Sequence, residues 1–264
     1  MEFSFIVLTW NSEKYIDTCI NSIVKEGFSH NAPFEIFIID NGSSDLTPEI
    51  IRKLEKEHLG IIKPIFFSTN IGTTKSRNVA LEKATGRLIV IMDSDAQLLP
   101  GVISSLRKTL LGYSNIGLVV PRLIYPDGRH QKSTDIFPTV SHKIKRFFWL
   151  KKIENAEPSL ISETGPVEVD YAISALWMFP RSIIQKVGFL DEKIFYAPED
   201  VDFCLRVWQA GLKVVYDPRC LAIHDAQEIS RGIKISKSTV LHIAGLLYFF
   251  KKHKYIFKKP AFST

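Results

Sequence analysis

Hydrophobic and polar positions follow two periods along the first half of the chain. The short apolar runs Phe3–Leu8, Phe34–Ile39, Ile61–Phe67, Leu88–Met92 and Ile116–Leu123 lack the alternation of a half-exposed strand and read as strands buried on both faces. Between them, apolar residues fall at helical spacing. Ile16, Cys19, Ile20 and Ile23 mark one face of a helix over about 13–25, and further helices are expected near 47–57, 73–84 and 101–111. Strands alternating with helices of about ten to fifteen residues predict βαβ units, hence an α/β fold with a mainly parallel central sheet flanked by helices. Ligands then belong at the carboxyl ends of the strands.

Periodicity fades between Tyr125 and Pro166, a variable acceptor-side segment that reads as a long connection, a mobile flap or a surface for a partner. It returns as strands at Val167–Asp170 and Ser174–Pro180, a short helix closed by Gly188, a helix from about Glu199 to Ala210, and strands at Lys213–Tyr216 and Cys220–Ile223. The apolar run Val240–Phe250 predicts a C-terminal helix too short to span a bilayer. The chain therefore divides into a domain over 1–228 and a basic amphipathic tail over 229–264.

The residues standing where the strands stop change the picture. They are Thr9 and Asn11, Asp40 and Asn41, Ser68 and Asn70, and Asp93 and Asp95. One polar strand end is ordinary turn chemistry, whereas four in series fit a small polar ligand lying across the sheet edge. Asp93-Ser94-Asp95, directly after a buried strand, offers two carboxylates to a divalent cation, although an isolated Asp-x-Asp is more often a solvated turn. Glu199, Asp200 and Asp202 open a later helix behind Phe195-Tyr196-Ala197-Pro198. Capping explains one or two such acids, and one that faces a cleft can take a proton from an incoming hydroxyl. His224, closing an apolar run, is a candidate third metal ligand beside its ordinary reading as a structural histidine. No G-x-G-x-x-G follows the first strand and no G-x-x-x-x-G-K-[ST] occurs, which argues against a dinucleotide site and a P-loop.

Charge adds an address. The net charge is +6, but from Ile229 onward there are eight Lys or Arg and no acid, so the remainder carries −2. A second acid-free patch interleaves Lys143, Lys145, Arg146, Lys151 and Lys152 with Phe147, Phe148 and Trp149. Such patterns suit an anionic membrane surface better than nucleic acid, for which no recognition motif is present. For the tail, docking on the domain or on another subunit competes with lipid contact. Cys19, Cys204 and Cys220 lack metal-site spacing and fit a reducing compartment, and no secretory signal is expected, so the sequence points to the cytoplasm.

Taken together, TWNSEKYIDTCINSI, IIDNGSSD, NIGTTKSRNVALEKATG, MDSD, SALWMFPRS and PEDVDFCLRVWQAG with His224 behind it resemble the inverting, metal-dependent glycosyltransferases of family 2, over roughly Phe3 to Asp225. Within that family the chain resembles bacterial rhamnosyltransferase-like enzymes that build cell-surface polysaccharides. The resemblance implies the GT-A nucleotide-diphospho-sugar transferase fold, to which the sequence adds the C-terminal basic helical tail. It implies a UDP- or dTDP-sugar donor and a glycan or polyprenyl-linked glycan acceptor. It further implies Mn²⁺ or Mg²⁺ as cofactor, and work at the inner face of the cell membrane. It places Thr9, Asn11, Asp40, Asn70, Arg77 and Asp93 around the nucleotide, with Asp93, Asp95 and His224 on the metal. Asp200 takes the role of catalytic base, supported on the acceptor side by Glu199, Asp202 and Trp177. Arg77 would lend charge to the diphosphate or orient a neighbouring acid, against the plain reading of a surface arginine. Trp177 competes with a core role. A catalytically silent scaffold of the same fold, binding glycan or membrane, is the alternative from another class, and an oligomer stays open.

Overall fold

In the computed structural model, which describes residues 1–29, 31–140, 164–226 and 237–262, the first apolar runs become parallel neighbours. They are β1 (Phe3–Thr9), β2 (Phe34–Asp40), β3 (Ile62–Phe66) and β4 (Leu88–Asp93), in the order β3-β2-β1-β4. Phe5, Val7, Val90 and Met92 enter one core cluster, while Ile6, Ile89 and Ile91 enter the other. Both faces of β1, β2 and β4 are buried, which is why these runs show no polar alternation, whereas β3 ends the sheet and is half-exposed, with Lys63 and Phe66 open to solvent. Helices α1 (Ile16–Ser29), α2 (Thr47–Glu57), α3 (Thr73–Lys83) and α4 (Val102–Gly112) connect the strands. The first, second and fourth cover one face, and the third covers the other.

The second half of the sheet is mixed rather than parallel. It continues from β4 through β11 (Leu176–Pro180), β6 (Ile116–Ile124) and β12 (Lys213–His224) to β5 (Ala96–Leu98). β11 runs antiparallel to β4 and β6, whereas β12 is parallel to β6 and antiparallel to β5. Short strands β7 (His130–Gln131) and β9 (Val167–Glu168) pair with β6 and β12. β8 (Thr134–Asp135) and β10 (Tyr171–Ala172) form a small separate ribbon. Two strands expected from the sequence, 213–216 and 220–223, are one, because the chain bulges between Asp217 and Leu221 without leaving β6. Asp217 is buried in that bulge and accepts hydrogen bonds from Thr109 Oγ1 at 2.5 Å and Arg219 Nη2 at 2.7 Å.

Helices α5 (Ser182–Val187) and α6 (Glu199–Gln209) follow β11, and α7 (Lys237–His253) lies near the end of the chain. The tail helix does not stand off from the domain. Phe249 and Phe250 are buried in the second core cluster, with Leu246, Tyr255 and Phe262 packed against it. Burying each phenylalanine contributes about 2 kcal/mol. Beyond the helix, Phe262 stacks on Trp208 at 5.5 Å and Lys259 pairs with Asp170 at 2.8 Å. The basic aromatic patch at 143–152 lies outside the described residues, as do Arg231 and Lys234.

Candidate functional site

The site gathers at the carboxyl ends of β1, β2, β4 and β12. Its tightest cluster is Asp93, Asp95 and His224, whose ligand atoms all lie within 4.8 Å of one another. Strand register explains the meeting of residues more than 120 positions apart in sequence. β5 begins immediately after Asp95 and pairs with the end of β12 so that Ala96 faces His224, and Asp225 N donates to Asp95 O at 3.0 Å. His224 Nε2 then stands 3.2 Å from Asp95 Oδ1. On the other side of the ring, His224 Nδ1 is 2.8 Å from the buried Gln131 Oε1. The amide oxygen can only accept, so Nδ1 carries a proton, and Nε2 is the nitrogen aimed at the carboxylates, donating to Asp95 when protonated and able to offer its lone pair to a cation when not. Burial depresses the imidazole's pKa, but the bond to Asp95 and the neighbouring carboxylates outweigh it and the net shift is upward. Two carboxylates and an oriented imidazole are a donor set that fits Mn²⁺ or Mg²⁺.

Arg77 joins this cluster to the acidic helix start. It is buried to 1% exposure on α3, and its guanidinium reaches Asp93 Oδ1 at 2.5 Å, Ser174 Oγ at 2.8 Å and Glu199 Oε1 at 3.5 Å. Of the two roles expected for Arg77, this geometry is that of a residue orienting neighbouring acids. Ser174 Oγ also donates to Glu199 Oε1 at 3.1 Å. Burial, reinforced by Asp200, pushes the Glu199 carboxyl up to about 8, with Arg77 opposing. Burial likewise raises Asp93, with Arg77 pulling the other way. Asp200 is half-buried at the same helix start, and its Oδ1 accepts from Val201 N at 2.8 Å.

At the ends of β1 and β2, Thr9 and Asp40 are buried side by side, and among the described residues the Thr9 hydroxyl has no hydrogen-bond partner. Burial raises the pKa of Asp40, against bonds from Ser43 that lower it. Asn11 and Asn70 use their side-chain oxygens to shape loops. Asn11 Oδ1 accepts from Ser44 N at 2.8 Å, and Asn70 Oδ1 accepts from Asn41 Nδ2 and Gly72 N, both at 3.0 Å. Gly72 is required where it stands, with φ +92° and Phe195 O only 2.7 Å from where a Cβ would sit.

Two residues expected on the acceptor side lie elsewhere. Asp202 follows Asp200 by two positions, which places it on a different side of α6, and it is fully buried among Arg206, Lys252 and His253 at 2.9, 2.6 and 2.8 Å. Trp177 is fully buried, stacks on Phe203 at 5.4 Å and donates Nε1–H to Ala172 O at 3.2 Å, a core role. Conversely, sequence reasoning passed over Gln131, Ser174 and Tyr196. Tyr196 is 41% exposed, and its phenol is raised by burial and then by Glu199, Asp93, Asp200 and Asp95, which sets it beside the whole acidic group. Ser174 was within reach, at the head of the SALWMF run, while Gln131 carried no local signal.

Residues 4–188 match the family model described as glycosyl transferase family 2. An N-acetylglucosaminyl-diphospho-decaprenol L-rhamnosyltransferase of Mycobacterium tuberculosis is 22% identical over 276 residues, covering 97% of this chain and 86% of that protein. A poly(ribitol-phosphate) beta-N-acetylglucosaminyltransferase, TarS, of Staphylococcus aureus is 39% identical over 95 residues, covering 36% of this chain and 16% of that protein. This chain thus matches under a fifth of that relative's length. Among solved structures, GalNAc-T7 with UDP, GalNAc and Mn²⁺ superposes with TM-score 0.69 at 15% identity, covering 95% of this chain and 48% of that one. The mannosyltransferase PcManGT from Pyrobaculum calidifontis, in complex with GDP-Man and Mn²⁺, gives 0.67 at 18%, covering 98% and 66%. These likenesses show the GT-A glycosyltransferase fold.

Proposed function

The chain belongs to glycosyl transferase family 2, and from that premise we propose that it moves a hexose, rhamnose among the candidates, from a nucleoside diphosphate to a hydroxyl on a glycan or polyprenyl-linked glycan during cell-surface polysaccharide synthesis. The observation that carries this reading is Arg77, one buried guanidinium bonded to both Asp93 of the metal cluster and Glu199 of the acidic helix start. It ties a place for the leaving diphosphate to a place for a base.

In the proposed mechanism Asp93, Asp95 and His224 would hold a divalent cation, which when bound would offset the charge developing on the leaving diphosphate. Thr9 and Asp40 receive the nucleoside base. Asp200 removes the acceptor proton as the acceptor oxygen bonds to the anomeric carbon and the bond to the diphosphate oxygen breaks, a single displacement that inverts the centre. Glu199, held by Arg77 and Ser174, keeps the helix start in place. GalNAc-T7 is solved with UDP and PcManGT with GDP-Man, so the donor panel must contain uridine, thymidine and guanosine diphosphate sugars. Nucleotide release over that panel with Mn²⁺ or Mg²⁺ tests the proposal. Turnover is expected with one donor class and lost in Asp200→Asn, while that variant still binds nucleotide. Unchanged turnover in the variant removes Asp200 from its role.

The proposal includes peripheral contact with an anionic membrane at its inner face. Among the described residues no helix is long and apolar enough to cross a membrane. The outward side of α7 exposes Val240, Ile243 and Leu247 at 56, 54 and 67%, with Lys251 one turn on. Sedimentation with anionic vesicles at low salt, reduced by Leu247→Ser, is the expected result; equal recovery in the supernatant with and without vesicles counts against it.

A further inference from the structure

The inward side of α7 meets the segment that carries the acidic helix start. Gly245, Tyr248, Phe249 and Lys252 recur at helical spacing and form its stripe. At Gly245 the backbone of α7 lies on the turn before α6, and a Cβ there would stand 2.1 Å from Ala197 O and 3.2 Å from Pro198 Cδ. Lys252 Nζ bridges Asp191 Oδ2 at 2.7 Å and Asp202 Oδ1 at 2.6 Å, the two ends of a twelve-residue span. Tyr248 Oη donates to Asp191 at 2.9 Å, and His253 Nε2 stands 2.8 Å from Asp202 Oδ1. Against the burial of both carboxyls, these partners hold Asp191 and Asp202 low, Asp202 at about 2. Between the two ends lie Phe195, Tyr196, Glu199 and Asp200. From the opposite side α3, which also carries Arg77, holds the same segment through Thr73 N to Phe195 O and Thr74 Oγ1 to Ile194 O, both at 2.7 Å.

We propose that α7 is a positioning element of the transfer site, its residues Gly245 and Lys252 clamping 191–202 so that Asp200 and Tyr196 are held over the metal cluster. A bridging ammonium between the fully buried Asp202 and the part-buried Asp191 is an unusual expense for anchoring a tail that two buried phenylalanines already dock, because the charges must be largely desolvated. Placed across the ends of one segment, it fixes the distance between them. The catalytic consequence rests on the transfer reading above; the clamp itself does not.

Hydrogen–deuterium exchange on the full chain separates the two. Gly245→Ala and Lys252→Met are each expected to speed exchange over 191–202 by roughly tenfold, with β1 and β4 unchanged, since charge-assisted bonds are lost from one segment only. Mn²⁺ affinity, read by electron paramagnetic resonance with the metal alone, is expected to stay within about twofold, because the metal ligands lie on β4, its following turn and β12. With the donor the panel selects, kcat is expected to fall while the donor KM holds, and Lys252→Arg is expected to restore it. Unchanged exchange over 191–202 in both variants overturns the clamp, and so does faster exchange spread equally over β1 and β4. Faster exchange confined to 191–202 with kcat unaltered overturns the positioning role. If no donor turns over in the parent protein, the transfer reading fails and the exchange result still decides the clamp.

Discussion

The two halves of the sheet reach their polar edge by different routes. In the parallel half, β3-β2-β1-β4, each strand end is delivered by its own βαβ unit, so Thr9, Asp40 and Asp93 arrive side by side through local chain geometry and parallel register. In the mixed half, the groups come together only through contacts between distant segments: His224 through β5, Glu199 through Arg77 and Ser174, and the turn before α6 through α3 and α7. Local assembly gives a floor whose chemistry is set by strand ends. Long-range assembly gives a wall whose geometry depends on a few buried polar bridges, each of which can be removed singly.

Breaking the comparison starts with the largest effect. Asp200→Asn should lower kcat by about a thousandfold, the span of a lost general base, with nucleotide affinity retained. A parallel loss of nucleotide binding in a titration would show that the two halves are not separable. Next, Arg77→Met leaves Glu199 and Asp93 without their buried cation, and urea unfolding should report a loss of about 3 kcal/mol. A loss under 1 kcal/mol would mean the bridge is worth no more than a surface pair.

A pH series sharpens the contrast. The Asp202 carboxyl is held at about 2, below the ordinary range of an aspartate, by His253, Arg206 and Lys252 acting against its burial. A depressed acid stabilises the fold above its unfolded value and loses that contribution as pH falls toward the folded one. Unfolding free energy should therefore drop by about 2 kcal/mol between pH 5 and pH 2 on this account, and Asp202→Asn should flatten that part of the curve. Smallest in effect, Gln131→Leu should weaken Mn²⁺ binding by roughly tenfold, as removal of a ligand-orienting partner does, without altering nucleotide affinity measured in the absence of metal.

Legibility in the sequence follows the same division. The parallel half is readable because uninterrupted apolar strands and helical stripes are local signals, and the polar residues ending them stand next to those signals. Asp95 and His224 could be named as partners, but β5 could not be seen: Ala96–Leu98 is three residues long and has no β-branched side chain to mark it. Asp202 was grouped with Asp200 by sequence proximity, whereas helical geometry separates them and only the tertiary position of Lys252 and His253 shows what Asp202 does. For the tail the sequence leaves lipid contact and docking both open, because both of its sides are apolar. Which side docks is decided by Gly245, whose missing side chain lets the helix backbone touch Ala197. Gln131 was invisible, since an isolated glutamine in a two-residue strand has no pattern to belong to.

The pairing of β5 with the end of β12 has a consequence for how this protein can vary. Adding or deleting one residue between Asp95 and Leu98, or within 222–224, would turn successive side chains to the opposite surface and carry the imidazole away from the carboxylates. Exchanging Gln97 or Ile223 for another residue of similar shape would leave that spacing intact. Drift by substitution is thus cheap along this seam, while changes of length are not.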